Sequence, residues 1–154
     1  MRICLPFLLA LLLMPASFAS AGPLHPVAAS LQAAGIDARD LKAIGYVENA
    51  HGQIDEWSDR IIARLQQGMD ARGNSPIVDG RARFQVQKLR VTYAGYTRNK
   101  ALIDAINLLA AAHERRLDAV DEMLRSGVDE QRYEATSDEV DELIAAIRNW
   151  RSKQ

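Results

Sequence analysis

Cysteine is nearly absent from this chain, and that absence removes several kinds of chemistry. One cysteine occurs in 154 residues, at position 4. It lies in an N-terminal segment that we expect to be removed, and too early in the chain for a lipoprotein site. The mature protein is therefore predicted to lack disulfides, thiol nucleophiles, cysteine-ligated zinc and cysteine-attached haem.

Long hydrophobic runs are lacking too. Residues 3–14 form an apolar stretch of about 12 residues, whereas a membrane-spanning helix needs roughly 20. The stretch follows Arg2 and precedes the small residues Ala19-Ser20-Ala21, which fit a signal-peptidase site. This pattern predicts a secretory signal peptide over 1–21 and a mature domain over 22–154. The short signal and the Ala- and Arg-rich composition favour a bacterial periplasm and no stable membrane insertion after cleavage.

Strand-like alternation is missing from the mature chain, whereas helical spacing is frequent. Apolar residues recur every three or four positions from Asp37, a plausible N-cap, to about Arg72. A second pattern begins near Asp79, and a regular a/d seam covers 103–124. The sequence therefore predicts an all-α fold, an antiparallel bundle of three or four helices.

Three boundaries are less certain from the pattern alone. A short helix is expected over 27–34, and a polar loop over 128–135 is expected to precede a last helix capped by Thr136. The pattern does not decide whether 79–126 is one helix or two with a pause at 97–99. An unbroken helix would be about 70 Å long and would favour a homodimer.

Signatures of catalysis are scarce. The chain has no G-x-S-x-G nucleophile elbow and no glycine-rich phosphate loop. Its acidic pairs are adjacent in sequence, so the two carboxylates point to different parts of a helix surface. An enzyme, for example a wall hydrolase, is therefore the third possible class of function, after a protein-binding bundle and a metal- or haem-binding bundle.

Two histidines fall on apolar seams and raise the alternative of a metal or haem site. Glu48 and His51 form an E-x-x-H pair on one helix face, and di-iron bundles use two such pairs. A simple hairpin about the 73–79 turn would place His113 roughly 18 Å from His51. If the second helix turns back at 97–99, His113 lies level with Met69, and a Met/His pair can ligate haem. A satisfied structural histidine is the competing interpretation.

Charge is unevenly distributed along the chain. Between Arg81 and Lys100 there are six basic residues and no acidic one, whereas residues 101–154 contain twelve acidic and seven basic residues. The basic helix either packs beside the acidic helices, or docks an acidic protein partner, or binds a polyanion other than nucleic acid. The partner-binding candidates are Arg83, Phe84, Lys88, Arg90, Val91 and Arg98.

These observations favour a non-catalytic periplasmic bundle that acts through protein–protein binding and carries no cofactor. An inhibitor or immunity protein, an envelope adaptor and a holdase are all of this type. The partner is expected to be another envelope protein, acidic at its contact surface. The alternative is a metal- or haem-binding bundle that uses Glu48 and His51, or Met69 and His113.

Overall fold

A computed structural model describes residues 26–69, 75–126 and 130–153. The predicted signal peptide lies outside these residues. The described ranges are all-α, with five α-helices and no strand: α1 (Pro26–Ala33), α2 (Ala38–Gln66), α3 (Ser75–Lys88), α4 (Lys100–Ser126) and α5 (Glu130–Arg151). Within them, no helix is both long enough and apolar enough to cross a membrane.

The four longer helices form an antiparallel bundle, and α1 covers one end of it. Each of α2 to α5 packs against its neighbours in chain order, and α5 also packs against α2. Asp40, near the start of α2, accepts a hydrogen bond from Thr97, just before α4. Because α2 and α4 begin at the same end, they run parallel to each other and antiparallel to α3 and α5. The fold class is as predicted, with five helices in the described ranges and not three or four.

A polar cluster at this end joins α1, α2 and α4; we call Asp37, Asp40, Thr97 and Asn99 the end cluster. Asp37 caps α2 through a reciprocal capping box with Asp40, as the N-cap prediction required. Asn99 donates from Nδ2 to the carbonyl oxygen of Gly35 at 2.8 Å. Next to the cluster, Trp150 Nε1 of α5 donates to the Ala34 carbonyl at 3.1 Å. Both helix starts and the end of α5 are therefore tied together.

The end of α2 differs from the prediction. The helix stops at Gln66, six residues before Arg72, because Gly68 adopts a left-handed φ of 67°. The amides of Gly68 and Met69 donate back to the carbonyls of Leu65 and Arg64 at 3.0 and 2.9 Å. These two bonds form a Schellman motif, which satisfies the carbonyls at the helix end. Helix α3 begins at Ser75, four residues before Asp79.

Residues 79–126 form two helices. After α3 the backbone widens into a π-helical turn over Leu89–Tyr93, then tightens into a 3-10 turn over Ala94–Tyr96. Thr97 is extended, with φ −111° and ψ 158°, and its hydroxyl oxygen accepts from the Asn99 amide at 2.9 Å. The side chain thus satisfies a backbone donor where the chain reverses, and the predicted pause at 97–99 is a helix break.

The last helix begins earlier than its capping pattern suggested. Helix α5 already includes Glu130, so the predicted loop over 128–135 is wrong for the described residues from 130 onward. Thr136 is not an N-cap, since its hydroxyl donates to the carbonyls of Arg132 and Tyr133 at 3.1 and 2.9 Å. A threonine that bonds to the preceding turn in this way is accommodated inside a helix.

Candidate functional site

Two histidines meet in the middle of the bundle. His51 is the fourteenth residue of α2 and His113 is the fourteenth residue of α4. Because α2 and α4 start at the same end and run parallel, residues at equal depth face each other. His51 Nδ1 lies 3.3 Å from His113 Nε2. The 18 Å separation predicted from a hairpin about residues 73–79 is therefore wrong.

The predicted separation of roughly 18 Å assumed one unbroken second helix, whereas the chain reverses at 97–99. The level that His113 then reaches depends on the register between α2 and α3. Gln85 of α3 donates to Gln53 of α2 at 2.9 Å, which places the centre of the hairpin near residue 69 and not near residue 76. Helix α2 stops at Gln66. Helix α3 and the two turns after it then run back along most of the length of α2 before the break at 97–99. Helix α4 can therefore start level with the beginning of α2.

Asp55 and Arg116 complete a buried polar group with the two rings; we call His51, Asp55, His113 and Arg116 the histidine cluster. His51 Nε2 lies 3.0 Å from Asp55 Oδ2, one helical turn further along α2. Arg116 of α4 pairs through Nη2 with the other oxygen, Oδ1. His113 is fully buried, and the exposed fractions of His51 and Arg116 are only 4% and 3%. The Asp55 side chain keeps 28% of its surface exposed, so the cluster reaches solvent on the Asp55 side.

The proton positions in this cluster follow from its acceptors. A carboxylate only accepts, so a neutral His51 ring donates from Nε2 to Asp55. Its Nδ1 then accepts from His113 Nε2, and His113 Nδ1 carries the remaining lone pair. That nitrogen and Arg116 Nε have no hydrogen-bond partner among the described residues. Two buried polar atoms without partners are unusual in a folded core.

Electrostatics hold the cluster in one charge state. Burial, together with the positive charge of Arg116, lowers the pKa of His113 to about 3, so this ring is neutral. Burial alone would raise the pKa of Asp55, but the hydrogen bond from His51 and the charge of Arg116 outweigh burial and lower that pKa to about 2. At neutral pH the cluster therefore contains a carboxylate, a guanidinium and a neutral His113.

The cluster offers a donor set for a metal ion. One ligand atom from each of His51, Asp55 and His113 can be chosen so that all three lie within 4.8 Å of one another. In a tetrahedral zinc site, bonds of about 2.0–2.1 Å place neighbouring ligand atoms roughly 3.3 Å apart. His51 presents Nδ1 to His113 at 3.3 Å and Nε2 to Asp55 at 3.0 Å, so only one of these two contacts can be an edge of a single metal site. The chosen donors lie within 4.8 Å of one another, so the widest pair would have to close by up to about 1.5 Å to reach that edge.

The other metal candidates from the sequence lie elsewhere. Glu48 is near His51 in sequence but pairs with Arg148 and Arg151 of α5. Met69 is 46% exposed and lies beyond the end of α2, whereas His113 is buried in the middle of the bundle. The prediction that Met69 and His113 lie at the same level is therefore wrong. Neither Glu48 nor Met69 belongs to the histidine cluster.

The predicted partner-binding residues lie along α3 and the turns after it; we call them the basic surface. Two of its arginines face α4: Arg83 pairs with Asp79, Asp118 and Asp121, and Arg90 pairs with Glu114. These contacts are the intramolecular pairing expected when the basic helix packs beside an acidic one.

The rest of the basic surface points outward. Phe84 and Val91 are 56% and 71% exposed, and the Lys88 ammonium lies 4.8 Å from the centre of the Phe84 ring. Arg98 is exposed as well. A groove of about 410 Å³ separates this stretch from α4 and is lined by Arg83, Val86, Gln87, Arg90, Val91, Glu114 and Leu117. An apolar strip flanked by cations is therefore available at the surface.

Sequence reasoning missed a stack of three tyrosines. Tyr46 of α2 stacks on Tyr93 and Tyr96 with ring centroids 5.4 and 5.2 Å apart. A regular wheel of about 100° per residue would place Tyr96 on the same side as the buried Val86 and Leu89, yet Tyr96 is 45% exposed. The π-helical turn at Leu89–Tyr93 shifts the helical phase, which a regular 100° wheel does not anticipate.

Two spacing signals could have identified the histidine cluster. His51 and Asp55 are four residues apart on α2, and His113 and Arg116 are three apart on α4, so each pair shares a helix face. Both signals are common in charged helices, and only the register between α2 and α4 joins them. No family model, curated protein or solved structure matches the chain.

Proposed function

We propose that this protein binds a divalent transition-metal ion of the zinc class through His51, Asp55 and His113. The observation that carries the proposal is the convergence of two imidazoles and one carboxylate from two parallel helices in the core. Imidazole and carboxylate donors suit zinc, cobalt, nickel and copper ions. Three protein ligands leave a fourth position open, the arrangement of an exchangeable or reactive site.

The energetic cost of the cluster supports a functional role. Burying a carboxylate, a guanidinium and two imidazoles costs several kcal/mol for each ion in desolvation. Apolar side chains of similar volume would often give an equally stable or more stable bundle. Buried titratable groups with perturbed pKa values concentrate at functional sites. A bound metal would also use one ring lone pair of each histidine.

Metal titration of the mature protein tests the proposal. The protein is stripped with a chelator, then titrated with Zn²⁺ by calorimetry and with Co²⁺ by visible absorption. We expect one ion per chain and an intense ligand-field band of the kind that tetrahedral cobalt gives. Excess Zn²⁺ at about 100 times the dissociation constant should stabilise the fold by roughly 2.7 kcal/mol.

Variants locate the site. We expect His113→Leu and Asp55→Asn each to weaken Co²⁺ binding at least tenfold. Glu56→Gln is the matched control, because Glu56 lies beside Asp55 on α2 but pairs with Arg60 at the surface. Full-strength binding in both cluster variants, or the absence of any binding to the wild type, would contradict the proposal.

A second candidate function is docking of an acidic envelope protein on the basic surface. The exposure of Phe84 and Val91 favours it, since large apolar side chains beside cations are typical interface anchors. Charge complementarity selects an acidic contact surface, because Lys88 and Arg98 lie at its edge. Arg83 and Arg90 contribute less in this proposal, since carboxylates of α4 already pair with them.

Capture from a periplasmic extract tests this candidate. The tagged protein is compared with a Phe84→Ser, Val91→Ser double variant and with Leu108→Ser, a control at a 41% exposed leucine on α4. We expect one stoichiometric acidic protein that the double variant loses and the control keeps. Capture that is equal for all three would contradict the surface. Periplasmic location remains a prediction from residues 1–21.

A further inference from the structure

Arg116 carries a buried donor that the described contacts leave unused. Its side chain is 3% exposed, and Nη2 is paired with Asp55 Oδ1. The Nε–H of the same guanidinium has no partner among the described residues. An arginine normally uses both donors of this edge on one carboxylate. Here the second carboxylate oxygen, Asp55 Oδ2, is taken by His51.

The geometry of guanidinium relates the unused donor to the paired one. Nε–H and one Nη2–H leave the same edge of the planar group in parallel, which is the fork that binds carboxylates. Nη2 pairs with Asp55, and Nε is its neighbour on the same guanidinium, so the unused donor belongs to the same buried cluster as that carboxylate. It is therefore available to a ligand bound within the cluster.

Charge counting at the site leads to the same conclusion. Asp55 contributes one negative charge and Arg116 one positive charge, and His113 is neutral. A divalent ion would raise the charge of this mostly buried group to +2 with a neutral His51. Uncompensated charge in a low-dielectric core is strongly unfavourable. A small anion at the open coordination position would lower the total to +1.

We propose that the site binds its metal together with one small monoanion, which coordinates the metal at the open position and accepts a hydrogen bond from Arg116 Nε–H. The inference rests on the proposed metal function. Small carboxylates and azide are metal-coordinating monoanions and so have the charge that the site requires. Arg116 therefore acts as an anion-binding residue of the metal site as well as the partner of Asp55.

Azide titration of the Co²⁺-loaded protein tests the inference. We expect azide to change the cobalt ligand-field spectrum in a saturable manner with one azide per ion. In Arg116→Gln held at saturating Co²⁺, azide binding should weaken at least tenfold. Arg116→Lys keeps the positive charge but loses the fork, so it should also weaken azide binding.

Several results would overturn the inference. These are Co²⁺ binding without any response to azide, or azide affinity that is unchanged in Arg116→Gln. If circular dichroism shows that Arg116→Gln does not fold, the wild-type protein provides the test. Its affinity for Zn²⁺ should rise at least threefold when acetate replaces perchlorate as the anion in solution. Equal Zn²⁺ affinity in both salts would contradict anion binding. A protein that binds no metal would fail the proposed function itself, which is a different outcome from metal binding without anion binding.

Discussion

In the described part of the chain, two polar clusters with buried members join α2 and α4, and they differ in completeness. In the end cluster, Asp40 accepts from Thr97, Asn99 and its own helix N-terminus, and Asn99 reaches the Gly35 carbonyl. The histidine cluster also joins α2 to α4. In the described structure, however, His113 Nδ1 and Arg116 Nε have no hydrogen-bond partner. Complete polar networks are typical of structural positions, and incomplete ones need a separate explanation.

The difference between the clusters indicates which of them has a role beyond holding the fold together. Both clusters have buried members, so burial alone does not distinguish them. The end cluster uses short side chains to satisfy backbone groups at helix ends, which is a requirement of any helix. The histidine cluster lies in mid-helix, where the backbone is already satisfied, and the described hydrogen bonds and ion pairs of its side chains are to one another. Its presence is therefore not required by the fold.

The largest expected effect is a loss of stability in acid that comes from the histidine cluster. The pKa of His113 is about 3 in the fold, against 6.5 for a free histidine, so the unfolded chain binds protons more readily. Stability is full above pH 6.5 and falls as the pH is lowered toward 3, by on the order of 4 kcal/mol. Asp55 adds a loss of the same sign between pH 3.8 and about 2. Urea unfolding of chelator-treated protein between pH 7 and pH 4 measures the effect, and an equal slope in His113→Leu would contradict it.

The next effect concerns the end cluster. Asp40→Ala removes half of the capping box and leaves the buried Thr97 hydroxyl without its acceptor. We expect a loss of about 3 kcal/mol in the free energy of unfolding, with or without metal. Asp104→Ala is the control, because Asp104 is a surface residue that pairs only with Lys100. A loss for Asp40→Ala no larger than for this control would mean that the cluster is not structural.

A smaller effect is expected for His113→Leu in metal-free protein at pH 7. The change removes one buried unpartnered nitrogen, His113 Nδ1, and creates another, because His51 Nδ1 loses its contact. These costs are similar, so stability should stay within about 1 kcal/mol of the wild type. The same variant should lose all stabilisation by Zn²⁺. A loss of more than 3 kcal/mol without metal would show that the histidine pair is as structural as the end cluster.

The smallest effect lies outside both clusters. Phe84→Ser should change the free energy of unfolding by less than about 0.5 kcal/mol, because the ring is mostly in solvent. Thermal or urea unfolding measures it. Any larger loss would mean that Phe84 contributes to the core and not to a contact surface.

The sequence predicted local features better than the arrangement of helices. The N-cap at Asp37 was predicted because capping depends on a few neighbouring residues, whereas the pattern left open whether the helix breaks at 97–99. The depth of His113 relative to His51 was missed because it depends on where α2 stops, and Gly68 sets that end six residues early. The role of Arg116 was missed for the same reason, since its partner Asp55 is 61 residues away.

The matching depths of His51 and His113 make the metal site sensitive to the length of the chain. Inserting one alanine in α4 between Lys100 and His113 would rotate the ring by about 100° and move it about 1.5 Å along the axis. The donor would then leave the interior, while most of the helix could still form. Insertions between α2 and α3 would lengthen a connection without moving either histidine. Related chains that keep the site should therefore vary in length near residue 70 but keep an unchanged count of residues from the break at 97–99 to His113.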